Sequence, residues 1–271
     1  MKPSRAADCS AGTHPVRIGN VMRTPITIVI PTLNEAAQIA ECVRQLAWAA
    51  EVIVVDGGSS DDTAAQASAA GARVIEAKGG TIAGQRNAGI AQAAHPWVFA
   101  VDADERVTPE LAAELDQVVR APDHEAYRVK RRNLLHGRVV THGRWGRDWV
   151  VRLFRRERRY IERKVHEGLE PVPDIGALAH ELVHVPYRDL AHHVQKMVVW
   201  SRLGAEELAA QGRRAGWSDL MVRPALRFWR ELLINGALWQ GAAGAASAGM
   251  GAVGVFLKYL FLWDLNRRSD A

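Results

Sequence analysis

Four polar motifs, each next to a predicted β-strand, constrain the fold of this chain more than any other feature. Apolar, β-branched runs at residues 26–31, 51–56, 73–77 and 97–102 alternate with segments of helical composition at about 35–47, 61–70 and 81–94. Alternation at this spacing indicates βαβ units and a mostly parallel sheet with helices on its faces. The sequence therefore predicts an α/β fold for its first half.

The polar motifs follow these strands or lie in a helix beside them. They are Pro31-Thr-Leu-Asn34-Glu35, Asp56-Gly-Gly-Ser-Ser-Asp61, Gly84-Gln-Arg86-Asn87-Ala-Gly89 and Asp102-Ala-Asp104-Glu105. Open parallel sheets bind ligands at the carboxyl ends of their strands. We therefore expect the four motifs to converge on one ligand site.

Asp102 and Asp104 form the most informative pair of acidic residues. Alternate carboxylates at a strand end suit a hard cation such as Mg²⁺ or Mn²⁺, which leaves positions for substrate phosphates. The alternative is a strand-end turn with solvated acids. Asp56 fits a hydrogen bond to a nucleotide base or ribose, or a helix cap. Arg86 fits a bidentate contact with a diphosphate, or a charge on a helix surface.

The pattern changes after about residue 125. Strand-like segments at 126–134, 138–142, 149–154 and 160–165 predict hairpins added to the sheet edge, and residues 188–211 and 219–238 have helical composition. Residues 241–257 carry no charge. This last segment has three interpretations: a helix that docks on a membrane, a packing helix, or a membrane span. The mixture of arginine and aromatic residues at 223–230 favours docking.

Charge is distributed unevenly along the chain. The net charge is +5, yet residues 128–164 hold 14 Lys and Arg against three acids. Such a segment indicates an anionic partner or, alternatively, a solvated arginine-rich sheet edge. Cys9 and Cys42 form neither a disulfide framework nor a zinc pattern. Residues 1–23 lack the apolar core of a signal peptide and are predicted to be a disordered leader.

Two other functional classes lack their sequence signals. A nicotinamide-dependent oxidoreductase should carry G-x-G-x-x-G after the first strand, and Pro31-Thr-Leu-Asn-Glu35 stands there instead. The arginine-rich segment has few aromatic residues for base stacking and no helix-turn-helix or zinc spacing. We therefore expect no nucleic-acid partner.

The ordered series of motifs over residues 24–120 resembles the donor half of family 2 glycosyltransferases with the GT-A fold. The second half resembles a narrower branch, the lipopolysaccharide core β-glucosyltransferases that act on heptose. The segments that carry this second resemblance are Gly143-Arg-Trp145, Asp148, Arg152-Leu-Phe-Arg155, Val165-His166-Glu167, His184 to Tyr187 and Lys196. Where that branch has Leu-Asp-Gly, this chain has Trp239-Gln240-Gly241.

The resemblance implies a Rossmann-like, mostly parallel sheet and roles for individual residues. It implies that Asp56 contacts the base, Asp102 the ribose or metal, and Asp104 the metal, with His166 as a further metal or phosphate ligand. An inverting transferase needs a base for the acceptor hydroxyl. The candidates are Glu167 and, in competition, Asp148. The remaining donor-binding candidates are Pro31, Asn34, Glu35, Arg86 and Asn87.

These expectations divide the chain into a leader (1–23), a GT-A glycosyltransferase domain (24–187) and a helical, membrane-associating region (188–271). The expected activity is transfer of a hexose, glucose from UDP-glucose, to a lipopolysaccharide core or related glycolipid, with Mg²⁺ or Mn²⁺. The expected location is the inner face of the cytoplasmic membrane. Transfer to polyprenyl phosphate, capsule or another glycan, and an inactive binding relative, stay as alternatives.

Overall fold

A computed structural model describes residues 23–135, 137–161 and 168–269 of the chain. Its first part alternates strands and helices: β1 (Thr24–Thr32), α1 (Ile39–Arg44), β2 (Ala49–Asp56), α2 (Thr63–Ala69), β3 (Arg73–Glu76), α3 (Ile82–Ala91) and β4 (Trp97–Ala100). These four strands are parallel and lie in the order β3-β2-β1-β4. The sequence prediction of a parallel α/β sheet is confirmed.

Helix α3 lies unusually close to the sheet because one of its residues has no side chain. A Cβ atom added to Gly89 would lie 2.5 Å from Val29 Cγ1 and 2.9 Å from Val55 Cγ2. Any larger residue would push the helix away from β1 and β2. The last glycine of the Gly84–Gly89 motif therefore sets the distance between α3 and the sheet.

The chain then adds antiparallel strands. The elements are β5 (Glu105–Val107), α4 (Pro109–Arg120), β6 (Ala126–Leu135), β7 (Arg138–Val139), the short helix α5 (Gly143–Gly146), β8 (Trp149–Arg155), β9 (Tyr160–Ile161), β10 (Gly168–Leu169), β11 (Ile175–Ala177) and β12 (Leu182–His184). The main sheet continues from β4 through β8, β6, β12 and β5. The added strands extend the parallel sheet from its β4 edge, as predicted, and β8 lies between β4 and β6.

The interior position of β8 follows from its composition. Leu153 and Phe154 are fully buried and pair in register with Phe99 and Val98 of β4. Burial of a phenylalanine stabilises the fold by about 1.5–3 kcal/mol, and an edge strand would leave this gain unused. Leu153 and Phe154 of β8 therefore extend the hydrophobic core beyond β4.

The C-terminal part is helical: α6 (Leu190–Ala210), α7 (Trp217–Trp229), a π-helical turn (Arg230–Ile234), a 3₁₀ turn (Ala237–Gln240) and α8 (Gly241–Ser269). The predicted continuous helix over 219–238 is wrong at its end, because Gly236 has φ 76° and interrupts it. Among the described residues, one helical stretch, Ala237–Arg268, is long and apolar enough to cross a membrane by length and composition. The division of the chain at residues 187 and 188 stays a prediction.

Candidate active site

The loops that follow β1 and β2 are bound to each other by hydrogen bonds. Asn34, in a left-handed conformation with φ 57°, accepts hydrogen bonds at Oδ1 from the Ser60 amide (2.9 Å) and hydroxyl (3.2 Å). The Glu35 amide donates to Thr63 Oγ1 at 2.8 Å. The side chain of Asn34 therefore shapes the edge of the site, and direct contact with the donor stays a prediction for it, for Glu35 and for the buried Pro31.

Asp56, at the end of β2, organises the turn that follows it. Its Oδ2 accepts hydrogen bonds from the amides of Gly58 and Ser59, and its Oδ1 accepts one from the Ser59 hydroxyl at 2.5 Å. Oδ1 retains acceptor capacity, since a carboxylate oxygen has two lone pairs. Asp56 is thus fixed by its own loop and keeps one position for an N–H of a base.

Arg86 and Asn87 of α3 point towards different partners. Asn87 exchanges two hydrogen bonds with the backbone of Tyr160, at 2.9 and 2.8 Å. The buried Arg86 reaches Asp102, and its guanidinium lies 4.9 Å from the centre of the Tyr160 ring. Arg86 is therefore not a charge on a helix surface, as one interpretation of the sequence held. Donor contacts of both residues stay predictions.

A buried ionic cluster lies at the carboxyl end of β4. Arg152 Nη2 contacts Asp102 Oδ2 at 2.5 Å and Glu105 Oε1 at 2.7 Å, while Arg86 Nη2 contacts Asp102 Oδ1 at 2.5 Å. The strand register explains this arrangement: Leu153 pairs with Phe99, so Arg152 lies one step further towards the end of β4. The site therefore contains two carboxylates held between two guanidinium groups.

The two carboxylates of this cluster have opposite pKa shifts. Burial raises the pKa of Glu105, which has no exposed surface, and Arg152 offsets only part of this effect. Burial opposes ionisation of Asp102 as well, but Arg152 and Arg86 outweigh it and hold its pKa well below the usual range. Asp102 is therefore an ionised anchor, and a metal-ligand role for it stays a prediction.

Asp104 faces a histidine that the sequence analysis assigned no role. His184 Nε2 lies 3.6 Å from Asp104 Oδ1. His184 is adjacent to Glu105 in the antiparallel register of β12 with β5, and to Asn133 in its parallel register with β6. The end of the added strands therefore brings His184 to the Asp102–Glu105 motif, from 80 residues further along the chain.

Hydrogen bonds fix the tautomer of His184. The Asn133 amide group donates to Trp145 O at 2.6 Å and to Asp148 Oδ2 at 3.2 Å, so its Oδ1 is the acceptor that faces His184 Nδ1 at 2.6 Å. His184 Nδ1 must then donate. Its Nε2 faces Asp104 and can either donate to this carboxylate or, when unprotonated, offer its lone pair to a metal.

Asp104 is ionised and has a lysine as a second neighbour. Burial opposes its ionisation, but the hydrogen bond and charge of His184 outweigh burial, so that the pKa of Asp104 is lowered. Lys196 Nζ of α6 lies 3.5 Å from Asp104 Oδ2. Burial, partly offset by Lys196, raises the pKa of nearby Glu35. Cationic Lys196 can therefore balance Asp104 or meet an anionic ligand.

The donor set of Asp104 and His184 fits a divalent cation. One carboxylate oxygen and one imidazole nitrogen leave most coordination positions to water and phosphate oxygens, as is usual for Mg²⁺ and Mn²⁺. Within residues 23–135, 137–161 and 168–269, no cluster of three or more Asp, Glu, His or Cys side chains could hold a metal. A cation here would thus depend on the ligand for much of its coordination.

The Trp145 side chain lies beside the Asp104–His184 pair. Its ring stacks on His184, with 6.1 Å between centroids and 18° between planes, and meets Tyr187 edge to face at 6.3 Å. Tyr187 in turn stacks on His193 of α6 at 3.7 Å. Helices α5 and α6 therefore meet β12 through aromatic contacts beside Asp104.

Of the two candidate bases, the structure describes only Asp148. Asp148 Oδ2 accepts hydrogen bonds from Arg131 Nε at 2.8 Å and Nη2 at 2.7 Å, and also from Asn133. These contacts give Asp148 a structural role in the same network. Glu167 and His166 lie outside the described residues, and their predicted roles stay predictions.

Five of the basic residues of the segment 128–164 have partners within the protein. Arg152 and Arg131 belong to the buried network, and the Arg155 guanidinium lies 4.1 Å from the centre of the Trp97 ring. Arg158 contacts Glu125, and Lys130 contacts Glu181. For these five residues the structure shows internal pairing, so an anionic partner of the segment stays a prediction.

The comparison with known sequences agrees with this geometry. The model of glycosyl transferase family 2 matches residues 27–172. The lipopolysaccharide core biosynthesis glycosyltransferase LpsC of Rhizobium meliloti is 33% identical over 247 residues, which cover 88% of this chain and 91% of LpsC. The chain is therefore similar to LpsC over both the sheet and the C-terminal helices.

Two solved structures are also similar. Staphylococcus aureus TarS 1-349, in complex with UDP-GlcNAc, has a TM-score of 0.50 and 16% identity over 92% of each chain, which shows a shared fold. Glucosyl-3-phosphoglycerate synthase of Mycobacterium tuberculosis, with Mn²⁺, UDP and glucosyl-3-phosphoglycerate, is 26% identical over 42% of this chain and 45% of that chain. Its TM-score of 0.35 is too low to carry a structural argument.

Proposed function

This chain belongs to glycosyl transferase family 2, and on that premise we propose that it moves glucose from UDP-glucose onto a lipopolysaccharide core or related glycolipid with inversion at the anomeric carbon. The observation that carries the proposal is the Asp104–His184 pair, in which an ionised carboxylate faces Nε2 of a histidine whose Nδ1 is held by Asn133. The pair lies beyond the carboxyl end of β4, where open parallel sheets bind their ligands.

Four residues of the site have proposed roles in donor binding. Asp104 and His184 would hold Mg²⁺ or Mn²⁺, which would neutralise charge on the diphosphate leaving group. Asp56 accepts a hydrogen bond from the base through Oδ1. Asp102, fixed by Arg86 and Arg152, binds the ribose. The ionic cluster keeps this carboxylate in place without a substrate, which is the preorganisation that catalysis requires.

The transfer itself needs a base on the acceptor side. The acceptor oxygen forms a bond to the anomeric carbon as the bond from that carbon to the phosphate oxygen breaks, and the acceptor proton passes to a carboxylate. We assign this base to Glu167. Asp148 is the second candidate, and its contacts with Arg131 and Asn133 favour a structural role instead.

Paired variants test this assignment. We expect Glu167→Gln to keep donor binding and to lose transfer by a factor on the order of a hundred or more, because only proton transfer is removed. Asp148→Asn should keep much more activity. Radiolabelled sugar transfer with matched donor titrations measures both effects. Normal turnover by Glu167→Gln together with an inactive Asp148→Asn would move the role to Asp148.

The acceptor is proposed from the similarity to LpsC, whose name places it in lipopolysaccharide core biosynthesis. Transfer to polyprenyl phosphate, capsule or another glycan is the competing acceptor class, since Trp239-Gln240-Gly241 departs from the heptose-specific branch. Incubation with UDP-glucose and either truncated core lipopolysaccharide or polyprenyl phosphate, followed by mass spectrometry, separates the two. A hexose added only to polyprenyl phosphate would overturn the core assignment.

A further inference from the structure

Helix α7 and the turns after it expose apolar side chains in a continuous series. We define the outer face by six of these residues, each more than half exposed: Trp217 (74%), Met221 (54%), Leu226 (63%), Trp229 (55%), Ile234 (79%) and Trp239 (81%). Large apolar patches of this kind on a soluble protein mark an interaction site. The outer face therefore needs a partner.

The acidic residues of α7 and of the turn after it are turned inwards. Arg223 pairs with Asp219 at 2.5 Å, and its guanidinium lies 5.4 Å from the centre of the Tyr259 ring in α8. Arg227 pairs with Glu231 at 3.3 Å. A helix on a protein surface usually buries its apolar stripe and exposes its charges. In α7 and the turn after it, Asp219 and Glu231 are buried in ion pairs and Arg223 is half exposed, while the apolar residues of the outer face are left outside.

The charge around the outer face has one sign. Between residues 211 and 257 the only acids are Asp219 and Glu231, and both are buried. The arginines of the same stretch include Arg213, Arg214 and Arg230, which are exposed. Tryptophan and leucine beside exposed arginine are the composition of helices that lie in the interface of an anionic membrane.

We propose that the outer face docks into the interfacial region of an anionic lipid bilayer, with α7 parallel to the membrane plane. A second copy of the chain is a poorer fit. Two outer faces packed on each other would bring the exposed arginines of both copies together, and like charges at an interface are unfavourable.

Docking without a membrane span agrees with the packing of α8. Its middle contacts both neighbouring helices: Ser201 Oγ of α6 donates to Gly254 O at 3.0 Å, and Arg227 lies 3.6 Å from a Cβ placed on Gly251. Burial, with a further effect of Arg223, lowers the pKa of Lys258 in the same helix. Helix α8 thus packs along charged helices, whereas a span would need an apolar surrounding.

The outer face is joined to the active site by direct contacts. The Gly143 amide donates to Asn235 O at 2.8 Å, and a Cβ on Gly143 would lie 2.3 Å from Glu231 Oε1. Gly143 begins α5, which carries Trp145 onto His184. Docking of the outer face would therefore fix the position of the Asp104–His184 pair relative to the bilayer, where a lipid-linked acceptor would lie.

Vesicle sedimentation tests the proposal without donor or acceptor, so a failed transfer assay would not affect it. The full chain should sediment with phosphatidylcholine vesicles that contain phosphatidylglycerol, and less with phosphatidylcholine alone or at high salt. We expect the double variant Leu226→Glu/Trp229→Glu to bind at least about tenfold more weakly, because two exposed apolar anchors are lost. Val139→Glu/Ile175→Glu, which adds the same two charges at exposed residues of β7 and β11, should bind as the wild type does.

Four results would overturn the proposal. The first is no binding of the wild type to anionic vesicles, and the second is equal binding by the Leu226→Glu/Trp229→Glu double variant. The third is a dimer in sedimentation velocity that the double variant converts to monomer without any effect on vesicle binding, which would make a second copy the occupant. The fourth is membrane-bound protein that alkaline carbonate does not extract, which would indicate that α8 spans the membrane. Unchanged thermal melting of the double variant shows that it is folded.

Discussion

The sheet region and the C-terminal helices both bury charged side chains, but they place their apolar residues in opposite ways. At the end of β4, Glu105 and Arg152 are buried and hold the partly exposed Asp102. In α7, Asp219 and Glu231 are buried while the outer face is exposed. In the sheet region, the buried charges hold the side chains of the candidate site in place. In the C-terminal helices, they leave the outer face free to bind a partner.

The first prediction concerns the buried cluster and has the largest expected effect. Replacement of Arg152 by Met leaves Asp102 and Glu105 without their shared cation. Removal of one partner of a buried ion pair costs about 3–5 kcal/mol of the free energy of unfolding, because an uncompensated charge stays buried. Urea denaturation followed by circular dichroism measures the loss.

A matched control exists on a neighbouring strand. Arg132 of β6 is exposed, and Arg132→Met should change the free energy of unfolding by less than about 0.5 kcal/mol. If Arg152→Met were as mild as this control, the cluster would be hydrated, and the contrast between the two regions would lose its basis.

The second prediction concerns the attachment of α7. Asp219 accepts a hydrogen bond from the Gly216 amide at 3.0 Å and pairs with Arg223, so Asp219→Asn should lower the free energy of unfolding by about 1 kcal/mol at neutral pH. Ser218→Ala, at the exposed adjacent position, is the control. Equal stability of the two variants would mean that the inward charges do not hold α7 in place.

The effect of Asp219 should depend on pH in a defined direction. The hydrogen bond from Gly216 and the charges of Arg223 and Arg213 outweigh burial and lower the pKa of Asp219 in the folded protein. Its stabilisation is therefore complete above the unfolded-state pKa of about 3.9 and is lost as the pH falls through the lower folded-state value. The difference between wild type and Asp219→Asn should shrink only below about pH 4.

The smallest effect is expected on the outer face. Leu226→Glu/Trp229→Glu replaces exposed side chains, so the free energy of unfolding should change by no more than about 0.5 kcal/mol for each residue. Urea denaturation of this double variant and of Arg152→Met, in parallel, measures the smallest and the largest expected change in the free energy of unfolding. A loss above about 2 kcal/mol would show that these side chains pack within the protein.

The sequence supported the parallel half of the fold well, since each strand is a short apolar run followed by a polar motif. It did not predict the short strands β5, β11 and β12, because their pairing depends on register over long separations. The same limit explains His184 and Asn133, which meet Asp104 only through the register of β12 with β6. Glu105 looked like one more acid of a motif, and only its enclosure by β8 shows that it is buried.

Calorimetric titration of UDP-glucose, with and without Mn²⁺, tests the central claim most directly. The account predicts binding that requires the metal and that is lost in Asp104→Ala, while circular dichroism shows that Asp104→Ala is folded at the titration temperature. Equal binding without Mn²⁺, or equal binding by Asp104→Ala, would contradict a metal site at Asp104 and His184.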